Sequence, residues 1–305
     1  MLQQNVLSSG AVSQTRLIMM YYLGCPMWAH EHWRGSLFDD HCSPSDFLAQ
    51  YSRYFNAVEG NTTFYADPSP ATILRWQSQA TTHFRFTLKI PKLISHQLRG
   101  EARADALSQW QSLMAPLQSQ IGLCHLQLSG QYLVTTDADF AGLLQQLRQF
   151  SPVAVEVRHP ALFNKGPAEQ QLHQLLRQSG CERVILDSRA LFAQPPVSVA
   201  LQDAQQKKPR LPVHVCALGP NPMFRFIGVS DLAANRPFYQ PWLHKMAQWL
   251  SEGRTPYAFF HTEDNQSAPL LARQFASELA TLTGVSHPVL KPWPADLAPS
   301  QNTLF

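Results

Sequence analysis

The chain has 305 residues, 45% of them hydrophobic, which suits one large domain or two modest ones with a substantial core. A formal charge of +3 from 24 basic and 21 acidic residues is too mild to indicate nucleic-acid binding by itself, and no apolar run reaches the ~18 residues of a membrane span. Five scattered cysteines with no C-x-x-C pair argue against a disulfide framework or a zinc site, so a reducing, cytoplasmic setting is expected.

Residues 1–18 lack the basic start and apolar stretch of a signal peptide and read as a flexible leader. From there short apolar runs recur, each followed by a longer helical pattern. Strands are predicted at 18–25, 55–61, 84–90, 122–128, 153–159, 183–189, 224–229 and 257–262. Between them lie helical segments such as "SPSDFLAQYSRY", "PATILRWQSQA", "ALSQWQSLMAPL", "DADFAGLLQQLRQF" and "EQQLHQLLRQSG", the last ending on a glycine suited to a C-cap. Later come "PWLHKMAQWLSEG" and "PLLARQFASELATLTG".

Eight strands alternating with helices predict an α/β fold of the (β/α)8 TIM-barrel type, as a single domain over residues 19–290. An open doubly wound sheet is the runner-up, but no G-x-G-x-x-G turn follows the first strand. The Pro-rich stretch 195–223 reads as an irregular insertion before strand seven that covers the barrel mouth. Residues 291–305 read as a Pro-rich C-terminal tail.

In such barrels chemistry gathers where strands end, and side chains alternate along each strand. "VAVEVRH" puts Glu156 and Arg158 inward, "FRFTLKI" Thr87 and Lys89, and "CHLQLS" His125, Gln127 and Ser129. Strand two contributes Glu59 and Asn61, and strand eight His261. In "VILDSR" the same rule assigns Val184 and Leu186 outward, Asp187 and Arg189 inward. Three inward basic groups, Lys89, Arg158 and Arg189, predict an anionic ligand, since guanidinium suits phosphate and carboxylate. Glu156, Asp187 and Lys89 are then the candidate catalytic groups. Trp28, Glu59, Asn61, Tyr65, Gln127, Arg158, His159, Arg189 and His261 are the candidate substrate contacts. No H-E-x-x-H, G-x-S-x-G or P-loop occurs, so no cofactor is assigned; a divalent metal on Glu156, Asp187 and His261 is an alternative use of the same groups. Mutual neutralisation of the ring inside the barrel is the structural alternative to a ligand pocket.

The motifs "GCPMWAHEHW", "FNAVEGNTTFYADPSPATILRW", "HFRFTLKIPKLISH", "VEVRHP" and "VILDSR", in that order, resemble the YecE-like family, grouped as domain of unknown function 72. The resemblance runs from about Met20 to the end and includes "NPMFRFIG" and "TPYAFFHT". It implies a TIM barrel and supplies no reaction. Family-typical positions matched here are Gly24, Trp28, Glu59, Asn61, Thr63, Tyr65, Lys89, Glu156, Arg158, His159, Asp187 and Arg189. Strand eight departs from the family's Asn-rich "FNN" with "FFHTEDN", which puts the role of His261 in doubt.

Two functions follow as expectations. One is an enzyme or ligand binder, with hydrolase or lyase chemistry by carboxylate acid–base groups, acting on a small anionic substrate. The other is an accessory protein of DNA replication or repair. Its C-terminal "QNTLF" is similar to sliding-clamp-binding peptides, with Gln301, Leu304 and Phe305 as contacts on a Pro-rich tether. That reading stands with or without nuclease-type activity.

Overall fold

The computed structural model describes residues 20–133 and 139–297. The leader and the peptide contacts Gln301, Leu304 and Phe305 lie outside the described residues. Eight parallel strands, β1 (Tyr22–Gly24), β2 (Ala57–Gly60), β3 (Arg85–Lys89), β4 (Ile121–Gln127), β5 (Val153–Glu156), β6 (Glu182–Asp187), β7 (Met223–Ile227) and β8 (Tyr257–His261), form one sheet. Its order is β1-β8-β7-β6-β5-β4-β3-β2, which wraps into the (β/α)8 barrel that the alternating pattern predicts.

The helices of the outer ring are α1 (Phe47–Tyr54), α2 (Pro70–Gln79), α3 (Gly100–Met114), α4 (Phe140–Phe150) and α5 (Pro167–Gln178). After β6 come α6 (Arg189–Phe192) and α7 (Val199–Lys207), and the ring is completed by α8 (Leu232–Ser251) and α9 (Ala268–Thr283). Alternation sorts the strand residues. Val58, Phe86, Leu126, Val155, Phe224 and Phe260 join the apolar cluster under the helices. A second cluster of Tyr22, Ala57, Leu123, Ala154, Val184, Met223, Tyr257 and Phe259 fills the lower barrel interior. The interior is thus plugged from below, on the side of the strand N-termini.

The seam between β1 and β2 is not a regular ladder; side chains complete it. Asn56 accepts from Leu23 N at 2.8 Å and donates to Tyr21 O at 2.8 Å. The buried Tyr51 hydroxyl accepts from Cys25 N at 2.8 Å and donates to Ala57 O at 3.0 Å. Gly24 permits this approach, because a Cβ there would stand 2.1 Å from Ala57 O.

The stretch 195–223 differs from the irregular segment predicted. Ser198 caps α7 by accepting from Leu201 N at 3.1 Å, and Leu201 and Ala204 pack on Leu186 and Ile227 at the barrel mouth. The paired prolines 195 and 196 end before the cap, so they precede the helix and do not interrupt it. The return segment of the insertion is pinned by side-chain contacts. His214 Nδ1 meets Glu169 at 2.6 Å, and Glu182 accepts from Leu218 N and Asn221 N at 3.0 Å each. The start of the predicted tail is also docked. Trp293 is buried, its ring under the Arg273 guanidinium at 4.4 Å, and α10 (Pro294–Leu297) follows.

Tyr51→Phe leaves Cys25 N–H and Ala57 C=O unpaired in the interior. We expect a loss of about 1–3 kcal/mol in urea unfolding, while Tyr54→Phe, on the same helix without such bonds, changes little. Equal effects of the two would show that the seam does not depend on the hydroxyl.

Candidate functional site

Directly above the apolar plug, Arg225 of β7 lies in the barrel interior, 3% exposed. An isolated guanidinium cannot be buried there without large cost, and two carboxylates meet it. Its Nε donates to Glu59 Oε2 at 3.0 Å and its Nη2 pairs with Glu59 Oε1 at 2.9 Å. Its Nη1 donates to Glu156 Oε2 at 2.8 Å. Glu59 and Glu156 come from β2 and β5, so one side chain spans the barrel.

Each carboxylate takes a histidine as well. His261 Nε2 lies 2.9 Å from Glu59 Oε2, and His125 Nε2 lies 3.0 Å from Glu156 Oε2. A carboxylate held by guanidinium only accepts, so both imidazoles carry their proton on Nε2 and keep Nδ1 as a lone pair. Both Nδ1 atoms are buried without a hydrogen-bond partner. Burial pushes His125 down and His261 down to about 3, outweighing the carboxylates that oppose it. Burial would raise Glu59 and Glu156, but Arg225 overrides it and, with His261 on Glu59 and Arg158 on Glu156, holds both well below the usual carboxylate range.

The next layer outward is cationic. Lys89 Nζ donates to Gln127 Oε1 at 2.8 Å and stands 3.9 Å from Glu59 Oε1. Arg158 donates from Nε to Glu156 Oε1 at 2.8 Å and from Nη2 to Gln127 Oε1 at 3.0 Å, and its side chain is 26% exposed. Lys208 follows α7. Ser188 Oγ ties the next residue to the end of β6 by donating to Pro209 O at 3.0 Å. Burial lowers Lys208 to about 8, and the fields of Arg225, Glu59, Glu156 and Arg158 all reach it. Lys89 is lowered to about 8 as well, by burial first and by Arg225 second. His96, on the loop after β3, falls to about 4 through burial and the fields of Lys92, Arg158, Arg99 and Lys89. Arg225, Lys89 and Arg158 thus meet over two carboxylates, with Lys208 near enough for its charge and theirs to influence one another.

Of the residues expected at the mouth, Glu59, Lys89, Gln127, Glu156, Arg158 and His261 converge. Asp187 and Arg189 do not. The β6 register pairs Val184 with Met223 and Leu186 with Arg225, so Val184 and Leu186 face inward and Asp187 outward, the reverse of the expected assignment. Asp187 accepts from Trp242 Nε1 of α8 at 2.8 Å and from Arg189 Nη2 at 2.7 Å. This also dissolves the alternative metal set of Glu156, Asp187 and His261. Asn61 donates to Pro26 O at 2.9 Å and ties two loops together; His159 caps a turn by accepting from Ala161 N at 3.2 Å. Trp28 packs edge-on against Trp76 and Phe86 on the outer side of the sheet. Tyr65 is 81% exposed on the rim beside Phe64. Arg225 was legible in "FRF", where two outward phenylalanines flank it. Lys208 had no strand pattern to reveal it.

Three comparisons bear on this barrel. Residues 22–296 match the model of a family described as "Protein of unknown function DUF72". The chain is 41% identical over 286 residues to UPF0759 protein YecE of Escherichia coli strain K12, covering 94% of this chain and 100% of that protein. The corresponding protein of Escherichia coli O157:H7 is 40% identical over the same length. Among solved structures, a DUF72 family protein from Enterococcus faecalis V583 superposes with a TM-score of 0.62 at 17% identity, over 88% of this chain and 97% of that one. One from Thermotoga maritima MSB8 gives 0.58 at 21% identity, over 85% and 99%.

Arg225→Met strands two buried carboxylates, and we expect it to destabilise the fold by about 3–5 kcal/mol. Adding Glu59→Gln and Glu156→Gln should recover part of that loss, whereas a purely steric role for Arg225 predicts no recovery. The pH dependence has a definite sign. The folded chain refuses the proton that an unfolded His261 takes up below 6.5, so stability falls from pH 6.5 towards about 3. Glu59 and Glu156, depressed below 4.5, contribute stability that is present above 4.5 and is lost as the pH falls through their folded values. Urea midpoints that stay level between pH 6.5 and 4.5 would contradict this.

Proposed function

The chain belongs to the DUF72 family, and we propose that it binds a small phosphate- or carboxylate-bearing molecule at the C-terminal mouth of the barrel and acts on it. One observation carries the reading. Glu59 and Glu156 bring two negative charges to the mouth and Arg225, Lys89, Arg158 and Lys208 four positive ones, and Lys89, Arg158 and Lys208 have no further carboxylate among the described residues. Lys89 and Arg158 also share the amide of Gln127. An anion supplies the missing charge, and forked guanidinium with ammonium groups is the chemistry that recognises it.

The same arrangement redistributes the chemical roles. Glu156, held ionised by Arg225 and Arg158, orients its neighbours and is poorly suited to deliver a proton. The neutral imidazoles of His125 and His261, no more than 1% exposed, hold the two carboxylates from within and leave their Nδ1 lone pairs uncommitted. For a ligand larger than its anionic group, a groove of about 600 Å³ lies beside the mouth, lined by Tyr65, Pro91, Leu93 and Trp110. Phe64 belongs to both, since the Lys89 ammonium lies 5.5 Å from its ring.

Titration with inorganic phosphate and with glyoxylate, followed by calorimetry, tests the site. Each ligand should saturate one site, and Arg158→Ala and Lys208→Ala should each weaken binding about tenfold or more, the size of a lost charge-assisted contact. Arg236→Ala, on the outer ring, should leave it unchanged. Absent saturation, or an affinity that neither mouth variant alters, would remove the basis for the proposal.

A further inference from the structure

We propose that Lys89 is a nucleophilic amine that forms an imine with the carbonyl carbon of a small anionic aldehyde or ketone held at the mouth. The inference rests on the anion-binding reading above and names its substrate class.

Position is the first argument. Lys89 ends β3 on the floor of the mouth, 7% exposed, so its Nζ is shielded yet reachable from outside. The deeper groups are closed off: Glu59, His125 and His261 are each no more than 1% exposed. Partnership is the second. The hydrogen-bond acceptor of Nζ is the neutral amide of Gln127 at 2.8 Å, while the nearer oxygen of Glu59 stands at 3.9 Å. An ammonium committed to structure would sit on a carboxylate at hydrogen-bond distance, as Arg225 and Arg158 do. Environment is the third. Glu59 and Glu156 are already engaged by Arg225, and Arg225 and Arg158 both oppose a positive charge on Nζ. Burial and a neighbouring cation are the two devices that free a lysine's lone pair near neutral pH. Lys89 has both, and its amine is lowered to about 8.

The step balances without a redox partner. The neutral amine attacks the carbonyl carbon and forms the C–N bond as the C–O π pair moves to oxygen. Both amine hydrogens leave with that oxygen as water, and a further proton converts the imine to its iminium. Arg158 and Lys208 hold the anionic group meanwhile. The iminium then draws the electron pair of an adjacent C–H or C–C bond, and hydrolysis returns the amine.

Glyoxylate with cyanoborohydride traps the imine on the full chain, because hydride delivered to the iminium carbon leaves a carboxymethyl group on Nζ. Peptide mass mapping at neutral pH should find Lys89 modified about tenfold or more faster than the exposed Lys207 and Lys291. Inorganic phosphate should slow that labelling, and Lys89→Arg should abolish it with the remaining lysines unchanged. The wild-type map decides the matter even if Lys89→Arg folds poorly. Labelling of Lys89 no faster than of Lys207, or labelling centred on Lys208, overturns the assignment. Saturable phosphate binding with Lys89 unlabelled rejects the imine and leaves the anion site standing; failure of both rejects the site.

Discussion

The guanidinium of Arg225 is the interaction on which the rest of the mouth depends. It lies in the barrel interior, where a charge survives only by pairing, and it joins carboxylates from β2 and β5 across the closed sheet. Once Glu59 and Glu156 are fixed ionised, His261 and His125 can only donate to them, which sets both tautomers and leaves both Nδ1 atoms as acceptors. Arg158 follows, because the remaining oxygen of Glu156 accepts from it. Lys89 is then left with an amide and a distant carboxylate oxygen. Such a network adds little net stability over a well-packed apolar layer, since desolvation consumes most of the Coulombic gain. The apolar plug beneath it already closes the barrel, so stability alone does not account for the charged layer.

Much of this was legible in the sequence, and the reason is periodicity. On β5 the outward valines are uninterrupted, so Glu156 and Arg158 could only point in, and they do. On β6 the same rule fails. Its outward face carries Arg183 and Asp187, each buried against a partner far away in sequence: Glu169 of α5 at 2.7 Å and Trp242 of α8 at 2.8 Å. Polarity marks the inner face only when the outer ring offers apolar cover. Here helices α5 and α8 offer ionic and hydrogen-bonding cover instead. The strand's inward face is meanwhile the apolar one, with Val184 in the plug and Leu186 against the insertion.

Arg225 shows the complementary lesson. Phe224 and Phe226 stack into the outer ring, with Phe224 4.3 Å from the Trp242 ring, and that alternation forces Arg225 inward as surely as in "VEV". The pattern was present; its weight lay in noticing that a cation at mid-strand demands two anions. Trp28 and Asn61 illustrate what a strand pattern cannot decide. Both follow strand ends, where no alternation constrains them, and both were taken up by neighbouring loops and helices. Lys208 lies further still from any pattern. Its position depends on the Ser198 cap, the packing of α7 on Leu186 and Ile227, and the bond from Ser188 to Pro209.

The insertion therefore does more than cover the barrel. Its return segment is pinned to the outer ring by the His214–Glu169 pair and to β6 by Glu182. A cation brought near an already cationic mouth raises the electrostatic energy there. Lys89, Arg158 and Lys208 repel one another, and the two carboxylates that offset them are shared with Arg225 below. On the proposed reading, a negative charge arriving from outside relieves that repulsion. A neutral ligand would leave it in place, and a cationic one would increase it. On the proposed reading, the barrel selects the sign of its ligand in part through a residue that belongs to none of its strands.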